Sequence, residues 1–312
     1  MGFERLRAQS GLLDGPPAPR PRSGEAPLEI VEGLDQRGRA LTRCVAIEHP
    51  LTIYLNATEV YTTMTMCGNQ DLLAIGHLLS RRLLTEAQAL ESVASIECND
   101  DFQTVIVKTT GPQTMESKSL RRVSASGKGL GDLYYDALDL LDSTHLDTAA
   151  TVKASCLIGL DAATRALTDV HAKTGTVHGC VLFENGKPLV CMEDVERHNA
   201  MDKVSGYMCV HRIPPRGKIL YTTGRLTSEM VLKTVLMGIP VLVSSSGFTG
   251  WAVELARHAD LTLVGYAKDD VFQVLASPYR VVFDLPAEAD ASPRSAGGRK
   301  AARPRPARAK AV

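Results

Sequence analysis

The sequence lacks any long apolar run. No segment approaches the roughly eighteen apolar residues that a membrane-spanning helix needs. The first 22 residues also lack the apolar core of a secretory signal peptide. With 44% hydrophobic and 22% charged residues, the composition is that of a soluble globular protein. The sequence therefore predicts a cytoplasmic protein without a membrane partner, long enough to bury one large core or two modest ones.

Paired cysteines are also missing. The seven cysteines are scattered, and no two form a C-x-x-C motif. An odd number of scattered thiols, without a secretion signal, argues against a disulfide framework. We expect most of them to be small buried hydrophobic side chains. They are Cys44, Cys67, Cys98, Cys156, Cys180, Cys191 and Cys209.

The familiar phosphate-binding and zinc motifs are absent as well. The chain contains neither G-x-x-x-x-G-K-[ST] nor G-x-G-x-x-G. His178-Gly179-Cys180 superficially resembles a pair of metal ligands. A zinc deaminase, however, requires H-x-E followed by P-C-x-x-C, and Cys180 stands where that Glu would be. The sequence therefore predicts no metal site.

The formal net charge of zero hides an asymmetry between body and tail. Residues 286–312 carry seven Lys or Arg against two acidic residues. We interpret this segment as a basic disordered tail, with nucleic-acid contact as the less favoured alternative. Residues 1–27 are rich in Gly, Pro and Arg and predict a disordered leader.

Hydrophobic patterns between these ends predict two domains. Residues 28–122 fit an N-terminal α+β domain, with strands within 43–55, a helix that Asp71 would cap, and a later strand pair. Residues 123–132 form a Gly/Ser-rich loop. Residues 133–285 alternate short apolar strands with helices, which indicates an α/β sheet layered between helices. The predicted strands are 93–97, 104–108, 177–183, 218–222, 241–244 and 261–266, and the predicted helices are 147–163, 228–237 and 251–258.

Polar residues cluster in three segments where a strand should end, at 173–178, 193–203 and 224–229. In open α/β sheets, ligands collect at the carboxyl ends of strands. Arg197 and Lys203 could hold phosphate, and Glu193 or Asp194 could accept hydrogen bonds from a ribose or a guanine. The competing interpretation is a charged helix start, with Asp194 near the N-cap and residues 202–203 on a solvated face.

The third cluster predicts an anion site at a helix start. Thr227 could cap a helix that begins at Ser228, and the free backbone N–H groups there could receive an anion. Residues 244–249 repeat this arrangement after the next strand, from Ser244 to Thr249. The sequence therefore predicts a second phosphate cradle beside the first.

Several segments together resemble the formate dehydrogenase accessory (FdhD) family over about residues 28–283. E-D-V-E-R-H-N-A-M-D-K at 193–203 resembles its signature E-D-V-G-R-H-N-A-x-D-K. G-R-L-T-S-E-M-V at 224–231, S-S-S-G-F-T-G-W-A-V-E-L-A at 244–256 and T-G-T-V-H-G-C-V-L-F at 174–183 resemble its other blocks. The N-terminal half fits through E-H-P-L-T-I-Y-L-N and D-L-L-A-I-G-H-L-L-S.

The resemblance implies a fold and a function. Family members accept sulfur from a cysteine desulfurase and pass it to the molybdenum bis-molybdopterin guanine dinucleotide cofactor before that cofactor enters formate dehydrogenase. It also implies homodimers, guanine nucleotide as a surrogate ligand, and a cytidine-deaminase-like layered α/β/α domain without zinc, joined to the smaller N-terminal α+β domain. The expected cofactor-binding residues are Thr174, Gly175, His178, Glu193, Asp194, Arg197, His198, Asn199, Asp202, Lys203, Arg225, Thr227, Ser228, Ser244, Thr249, Tyr266, Ala267, Lys268, Asp269, Asp270 and Val271.

Three departures from the family pattern bear on sulfur transfer and ligand binding. The family's C-G-x-C-G loop falls within residues 124–132, where this chain has no cysteine. Glu196 replaces a family glycine, and Ser245 replaces a family arginine that would face phosphate. Aligned on its glycines, the cysteine pair falls at Lys128 and Gly131 or at Ser126 and Gly129.

These departures leave three hypotheses. A working sulfurtransferase would need another thiol, because only a thiolate can carry the transferred sulfur; Cys180 is the first candidate and Cys191 the second. Alternatively, the chain is a cofactor-binding chaperone or regulatory paralogue without sulfur transfer, which we favour. A nucleotide-binding regulator that uses the basic tail on nucleic acid is the third hypothesis.

Overall fold

The computed structural model describes residues 28–98, 103–109 and 141–286. The predicted leader, the predicted tail and the loop 123–132, with Ser126, Lys128, Gly129 and Gly131, lie outside the described residues. No helix in the described ranges is long and apolar enough to cross a membrane.

The N-terminal half contains a hairpin and a four-stranded sheet. Strands β1 (Leu28–Leu34) and β2 (Ala40–Ala46) pair antiparallel. The sheet has the order β4-β3-β6-β5. Its strands and the two helices beside it are β3 (His49–Leu55), β4 (Thr58–Thr65), α1 (Gln70–Ser80), α2 (Glu86–Glu91), β5 (Val93–Cys98) and β6 (Gln103–Lys108).

Side-chain alternation explains why this sheet forms. Leu51, Ile53 and Leu55 are at most 1% exposed, whereas the residues between them are half-buried. This period of two places one face of β3 in the core. The predicted strand pair is confirmed, but the predicted cap of α1 is wrong. The helix begins two residues earlier, at Gln70, after Asn69 in a left-handed conformation, and Asp71 lies in its first turn.

A six-stranded sheet forms the C-terminal half, in the order β13-β12-β11-β10-β8-β9. Strands β10, β11 and β12 are parallel, and β8 and β13 run against them. Because β9 is antiparallel to β8, it runs in the same direction as β10. The strands are β8 (His178–Glu184), β9 (Lys187–Asp194), β10 (Lys218–Thr222), β11 (Val241–Ser244), β12 (Thr262–Lys268) and β13 (Val271–Ala276).

Helices cover both faces of this sheet. Helix α3 (Ala154–Leu167) packs on one face, where Leu157 meets Tyr221 and Val243 in a buried cluster. Helix α4 (Asp169–Thr174) follows it. The other face lies in a second cluster with α5 (Arg197–Val210), α6 (Ser228–Leu236) and α7 (Gly250–His258). The predicted α/β class is confirmed, and a helix–sheet–helix layering is observed; the cytidine-deaminase likeness and the domain boundaries remain predictions.

One predicted helix is misplaced at its start. The pattern predicted a helix over 147–163, but α3 begins at Ala154. Two residues before it form β7 (Val152–Lys153), which pairs with β14 (Val281–Val282) after a short 3₁₀ turn, Pro278–Arg280. Buried Arg280 also donates from Nε to the Asp147 carbonyl, 3.1 Å away. Contacts with residues more than a hundred positions later therefore keep 147–153 out of the helix.

The two halves meet where α1 crosses α5. A Cβ atom on Gly76 would collide with the carbonyl of Asp202, and one on Gly206 would collide with the carbonyl of Leu72. The two backbones are therefore in direct contact. The same hydrophobic cluster includes Ile53 of β3 as well as Val204 of α5. This contact fixes α5, whose first residue lies at the candidate site.

Candidate functional site

Four strands end at one edge of the large sheet. Strands β9, β10, β11 and β12 run in the same direction, and β8 starts at that edge with His178 paired to Asp194. Helices α5, α6 and α7 each begin within a few residues of the end of β9, β10 and β11. We call the loops 194–197, 222–228 and 244–250, together with His178, the strand-end site. Helix starts offer unpaired backbone N–H groups and a partial positive charge, which favour anions.

Hydrogen bonds join the second and third loops of the strand-end site. The backbone N–H of Leu226 donates to the Gly247 carbonyl at 2.9 Å, and that of Thr249 donates to the Leu226 carbonyl at 3.0 Å. Ser244 Oγ donates to the Gly224 carbonyl at 2.6 Å and accepts from the Ser246 N–H at 2.9 Å. Ser244 therefore shapes the loop from within.

The two threonines expected to cap helices differ. Thr249 Oγ1 accepts from the Ala252 N–H and caps α7. Thr227 occupies the N-cap position of α6, but its side chain accepts no helical hydrogen bond. Its Oγ1 is buried and has no hydrogen-bond partner among the described residues. Thr227 therefore occupies the predicted N-cap position, but the predicted hydrogen bond from its side chain to the helix is not formed. Its hydroxyl group remains available to a ligand.

Arg197 lies at the centre of the strand-end site. It is the first residue of α5, and its side chain covers Gly224, where an added Cβ would lie 2.8 Å from Arg197 Cβ. Its Nε is buried without a hydrogen-bond partner among the described residues. Leaving a buried donor unpaired costs about 1–3 kcal/mol. Arg197 Nε and Thr227 Oγ1 therefore mark a place where a polar ligand would recover that free energy.

Two arginines, Arg197 and Arg225, carry the positive charges of the strand-end site. Burial lowers the pKa of His178, and the charges of Arg197, His171 and Arg225 lower it further. Arg225 is exposed. Burial also lowers the pKa of His198 to about 4, so this imidazole is neutral near pH 7. The two arginines therefore supply the positive charge at this edge.

The acidic part of the 193–203 segment is internal. Asp194 is 0% exposed and its Oδ2 lies 2.6 Å from Lys203 Nζ. Thr65 of β4 donates to the same carboxylate, and Asn199 Nδ2 donates to it at 3.2 Å and to the Met64 carbonyl at 2.8 Å. The competing prediction of a solvated face is wrong for Lys203, which is 1% exposed. Asp194, Asn199 and Lys203 connect the start of α5 to β4.

Two further carboxylates also have partners within the protein. Glu193 accepts hydrogen bonds from the backbone N–H groups of Val170 and His171, at 3.2 and 2.7 Å, in the first turn of α4. Burial raises its pKa, and these hydrogen bonds oppose the rise. Asp202 is 1% exposed and lies 2.7 Å from Lys233 Nζ. The prediction that Asp202 lies on a solvated face is therefore also wrong.

The remaining predicted residues lie at the rim of the site. Thr174 Oγ1 donates to the Val170 carbonyl at 2.8 Å, and Gly175, with φ 67°, ends α4. Tyr266 has φ 50°, is 49% exposed, and packs edge-on against Phe248 with ring centroids 5.7 Å apart. Ala267 is buried, and its carbonyl accepts from the Tyr221 hydroxyl. Asp269 and Asp270 form the turn between Lys268, the last residue of β12, and Val271, the first of β13; all four are exposed, and Asp269 lies 3.2 Å from Arg165.

Sequence reasoning missed Thr223 and Phe248. Thr223 Oγ1 accepts from the Gly179 N–H at 3.0 Å and lies 3.5 Å from His178 Nδ1. It thus joins the start of β8 to the end of β10. Its position directly after a predicted strand was the signal available. Phe248 supports Tyr266, and no pattern in the sequence indicates that contact.

Both candidate thiols, Cys180 and Cys191, are buried. Cys180 is 0% exposed, and burial raises its pKa far above the ordinary thiol value. Burial also raises the pKa of Cys191 to about 12. A neutral buried thiol is a poor nucleophile. Burial therefore argues against Cys180 as the substitute thiol, which stays a prediction. Within the described ranges, no three His, Cys, Asp or Glu residues are grouped as metal ligands.

Fold and site together define an α/β protein in which strand ends, helix starts and two arginines meet at one sheet edge. Residues 46–282 match the model of the FdhD/NarQ family. The chain belongs to the FdhD/NarQ family, which confirms the resemblance found in its motifs.

Individual relatives agree with this assignment. The sulfur carrier protein FdhD of Geobacillus kaustophilus is 30% identical over 239 residues, which cover 76% of this chain and 90% of the relative. That of Nocardia farcinica is 31% identical over 245 residues, covering 76% and 88%. A crystal structure from Desulfotalea psychrophila, described as a formate dehydrogenase accessory protein, matches with a TM-score of 0.65 and 25% identity. It covers 82% of this chain and 98% of its own.

Proposed function

We propose that this protein is an accessory factor of formate dehydrogenase maturation that binds the guanine dinucleotide ends of a molybdenum cofactor at the strand-end site. In this proposal it holds the cofactor without passing sulfur through a cysteine pair. Its relatives are named sulfur carriers, and a solved relative is described as a formate dehydrogenase accessory protein. Homodimer formation, a cytoplasmic location and contact with a cysteine desulfurase belong to the same proposal.

The observation that carries the proposal is the pair of unsatisfied atoms at the site. Arg197 Nε and Thr227 Oγ1 are buried without hydrogen-bond partners among the described residues. They lie where α5 and α6 begin, next to Gly224. The Arg197 side chain packs so closely on Gly224 that a side chain at position 224 would not fit. A diphosphate supplies several acceptor oxygens and a negative charge, which suit both groups and the helix starts.

Tyr266 fits the guanine end of such a ligand. Its ring is half exposed and is held against Phe248, beside the loop that precedes α7. Gly247 is required there, since a Cβ would lie 2.5 Å from the Tyr266 hydroxyl. An aromatic ring fixed at the rim offers a stacking face to a base. The exposed Glu196 at the start of α5 opposes an anion and would weaken the binding.

We predict that Arg197→Ala weakens the binding of guanosine diphosphate at least about tenfold, because a charge-assisted hydrogen bond contributes about 1.5–3 kcal/mol. Isothermal titration calorimetry of the full chain measures this change. Lys187→Ala is the matched control, because Lys187 is exposed and lies at the opposite end of β9. It should leave the dissociation constant unchanged. If the parent protein gives no heat with guanosine diphosphate, or if Arg197→Ala binds equally well, the proposed site is wrong.

Buried thiols support the absence of sulfur transfer. Residues 124–132 contain no cysteine, and Cys180 and Cys191 are buried with raised pKa values. We predict that iodoacetamide at pH 8 leaves both thiols of the native protein unmodified, whereas the half-buried Cys44 reacts faster. Mass spectrometry of peptides from native and urea-unfolded protein measures this difference. A sulfur adduct on Cys180, formed with a cysteine desulfurase and cysteine, would contradict the prediction.

A further inference from the structure

A cavity lies away from the strand-end site. It has a volume of about 700 Å³ and lies between α1, α2, α5 and α6, open to solvent on one side. Apart from Asp202, none of the cofactor-binding residues expected from the sequence lines it. Its apolar wall consists of the side chains Leu79, Leu84, Leu90, Met208, Ile213, Leu236 and Met237.

A buried ion pair forms the polar end of this cavity. Asp202 and Lys233 both line it, and their side chains are 1% and 6% exposed. Lys233 Nζ and His77 Nδ1 both approach Oδ2 of Asp202, at 2.7 and 3.3 Å. The other carboxylate oxygen, Oδ1, is buried and has no hydrogen-bond partner in the part of the chain that the structure describes. An unpaired buried acceptor favours a ligand that donates an N–H or O–H group.

Two arginines line the solvent-facing end of the cavity. Arg82 follows α1 and Arg212 follows α5, and both are exposed. Each has a left-handed backbone, with φ 53° and 52°, at the helix-ending position where glycine is usual. The Leu83 N–H donates to the Leu78 carbonyl and the Ile213 N–H to the Met208 carbonyl, both at 2.9 Å.

Positively charged side chains outnumber negatively charged ones at the solvent-facing end of the cavity. Glu86 is the one exposed carboxylate among the residues that line the cavity within the described ranges, whereas two exposed arginines line it. In the described part of the chain, Arg82 Nη2 has one long contact, 3.4 Å to Ser143 Oγ. Both arginines therefore retain donors for an anionic group.

We propose that this cavity binds an amphipathic organic anion. Its negative group pairs with Arg82 and Arg212, its apolar or aromatic body lies against the leucine and methionine wall, and its N–H or O–H donor reaches Asp202 Oδ1. This site does not depend on the strand-end site. The sequence predicted that Asp202 binds the cofactor. In this proposal Asp202 instead accepts a hydrogen bond from the organic anion.

An anilinonaphthalene sulfonate is a suitable probe, because it combines a sulfonate, an aromatic body and an N–H donor. The test uses the full chain and follows the fluorescence of the dye. We expect saturable binding near one dye per chain. The N-methyl derivative, which lacks the donor, should bind at least about fivefold more weakly. Equal binding of the two dyes would overturn the proposed contact with Asp202.

The double variant Arg82→Gly/Arg212→Gly tests the arginines without loss of folding. Glycine adopts the left-handed backbone more readily than arginine, so this variant should be at least as stable as the parent. We expect its affinity for the dye to fall at least about tenfold. Arg257→Ala is the control, because it removes an exposed arginine from the last turn of α7, outside the cavity. It should leave the affinity for the dye unchanged.

Guanosine diphosphate separates this site from the strand-end site. A saturating amount should leave the dye signal unchanged, and the double glycine variant should keep the calorimetric heat with guanosine diphosphate. Displacement of the dye by the nucleotide, or an unchanged affinity in the double variant, would overturn the proposal. Failure of nucleotide binding alone would affect only the proposed function.

Discussion

Lys203→Met is expected to destabilise the protein by about 3–5 kcal/mol, because it leaves a buried carboxylate without its cation. Asp194 is 0% exposed and lies 2.6 Å from Lys203 Nζ. Methionine fills a similar volume, so most of the loss should come from charge and little from packing. Urea denaturation followed by circular dichroism measures the change in the free energy of unfolding.

An exposed ion pair of the same length provides the control. Lys173 Nζ lies 2.6 Å from Asp169 Oδ2, but these side chains are 51% and 70% exposed. Lys173→Met should therefore cost less than about 1 kcal/mol, because solvent screens exposed pairs. Similar losses in Lys203→Met and Lys173→Met would show that burial does not determine the contribution of the Asp194 pair.

A compensating variant separates charge from shape. Asp194→Asn in the Lys203→Met background removes the unpaired charge and keeps a polar side chain beside Thr65 and Asn199. We expect it to recover more than half of the lost free energy, since the neutral amide is far less costly to bury. Because α5 begins three residues after Asp194, the affinity for guanosine diphosphate should fall in Lys203→Met and recover with the second change.

Local patterns predicted the short strands well. The predicted ranges 218–222 and 241–244 coincide with β10 and β11, and 228–237 differs from α6 by one residue. These segments are short apolar runs with turn or cap residues beside them, so local preference and burial agree. The start of helix α3 was predicted wrongly, because the residues before it form β7. That strand pairs with β14, about 130 residues further along the chain, which no local pattern reports.

The location of the candidate site could be predicted, but the roles of its residues could not. Because polar residues that follow parallel strands meet at one edge of the sheet, the sequence placed Arg197 and Thr227 at that edge. The structure has them there, at the starts of α5 and α6. The same logic also assigned Lys203 to a ligand, whereas its ammonium pairs with Asp194. Thr65, 129 residues before Asp194, donates to the same carboxylate. Periodicity reports which face a residue occupies; it does not report which distant side chain meets it there.

Gly206→Ala is expected to destabilise the protein by about 3 kcal/mol, because the added methyl group overfills a tightly packed crossing. A Cβ atom at Gly206 would overlap the carbonyl group of Leu72 in α1. Backbone atoms cannot rotate away as a side chain can, so α1 and α5 must separate. The gain of roughly 1 kcal/mol from replacing a helical glycine by alanine offsets only part of this cost.

Gly159→Ala is the matched control for the same chemical change. Gly159 is also helical, in α3, but it is exposed, and apart from the neighbouring backbone of its own helix no described atom lies within 4 Å of the position of its Cβ. Alanine there should stabilise the protein by about 0.5–1 kcal/mol, since it restricts the unfolded chain without a clash. The two variants should therefore shift the urea midpoint in opposite directions. A stabilising Gly206→Ala would mean that α1 and α5 cross at a larger distance, and the placement of Arg197 at the strand ends would then lose its support from the N-terminal half.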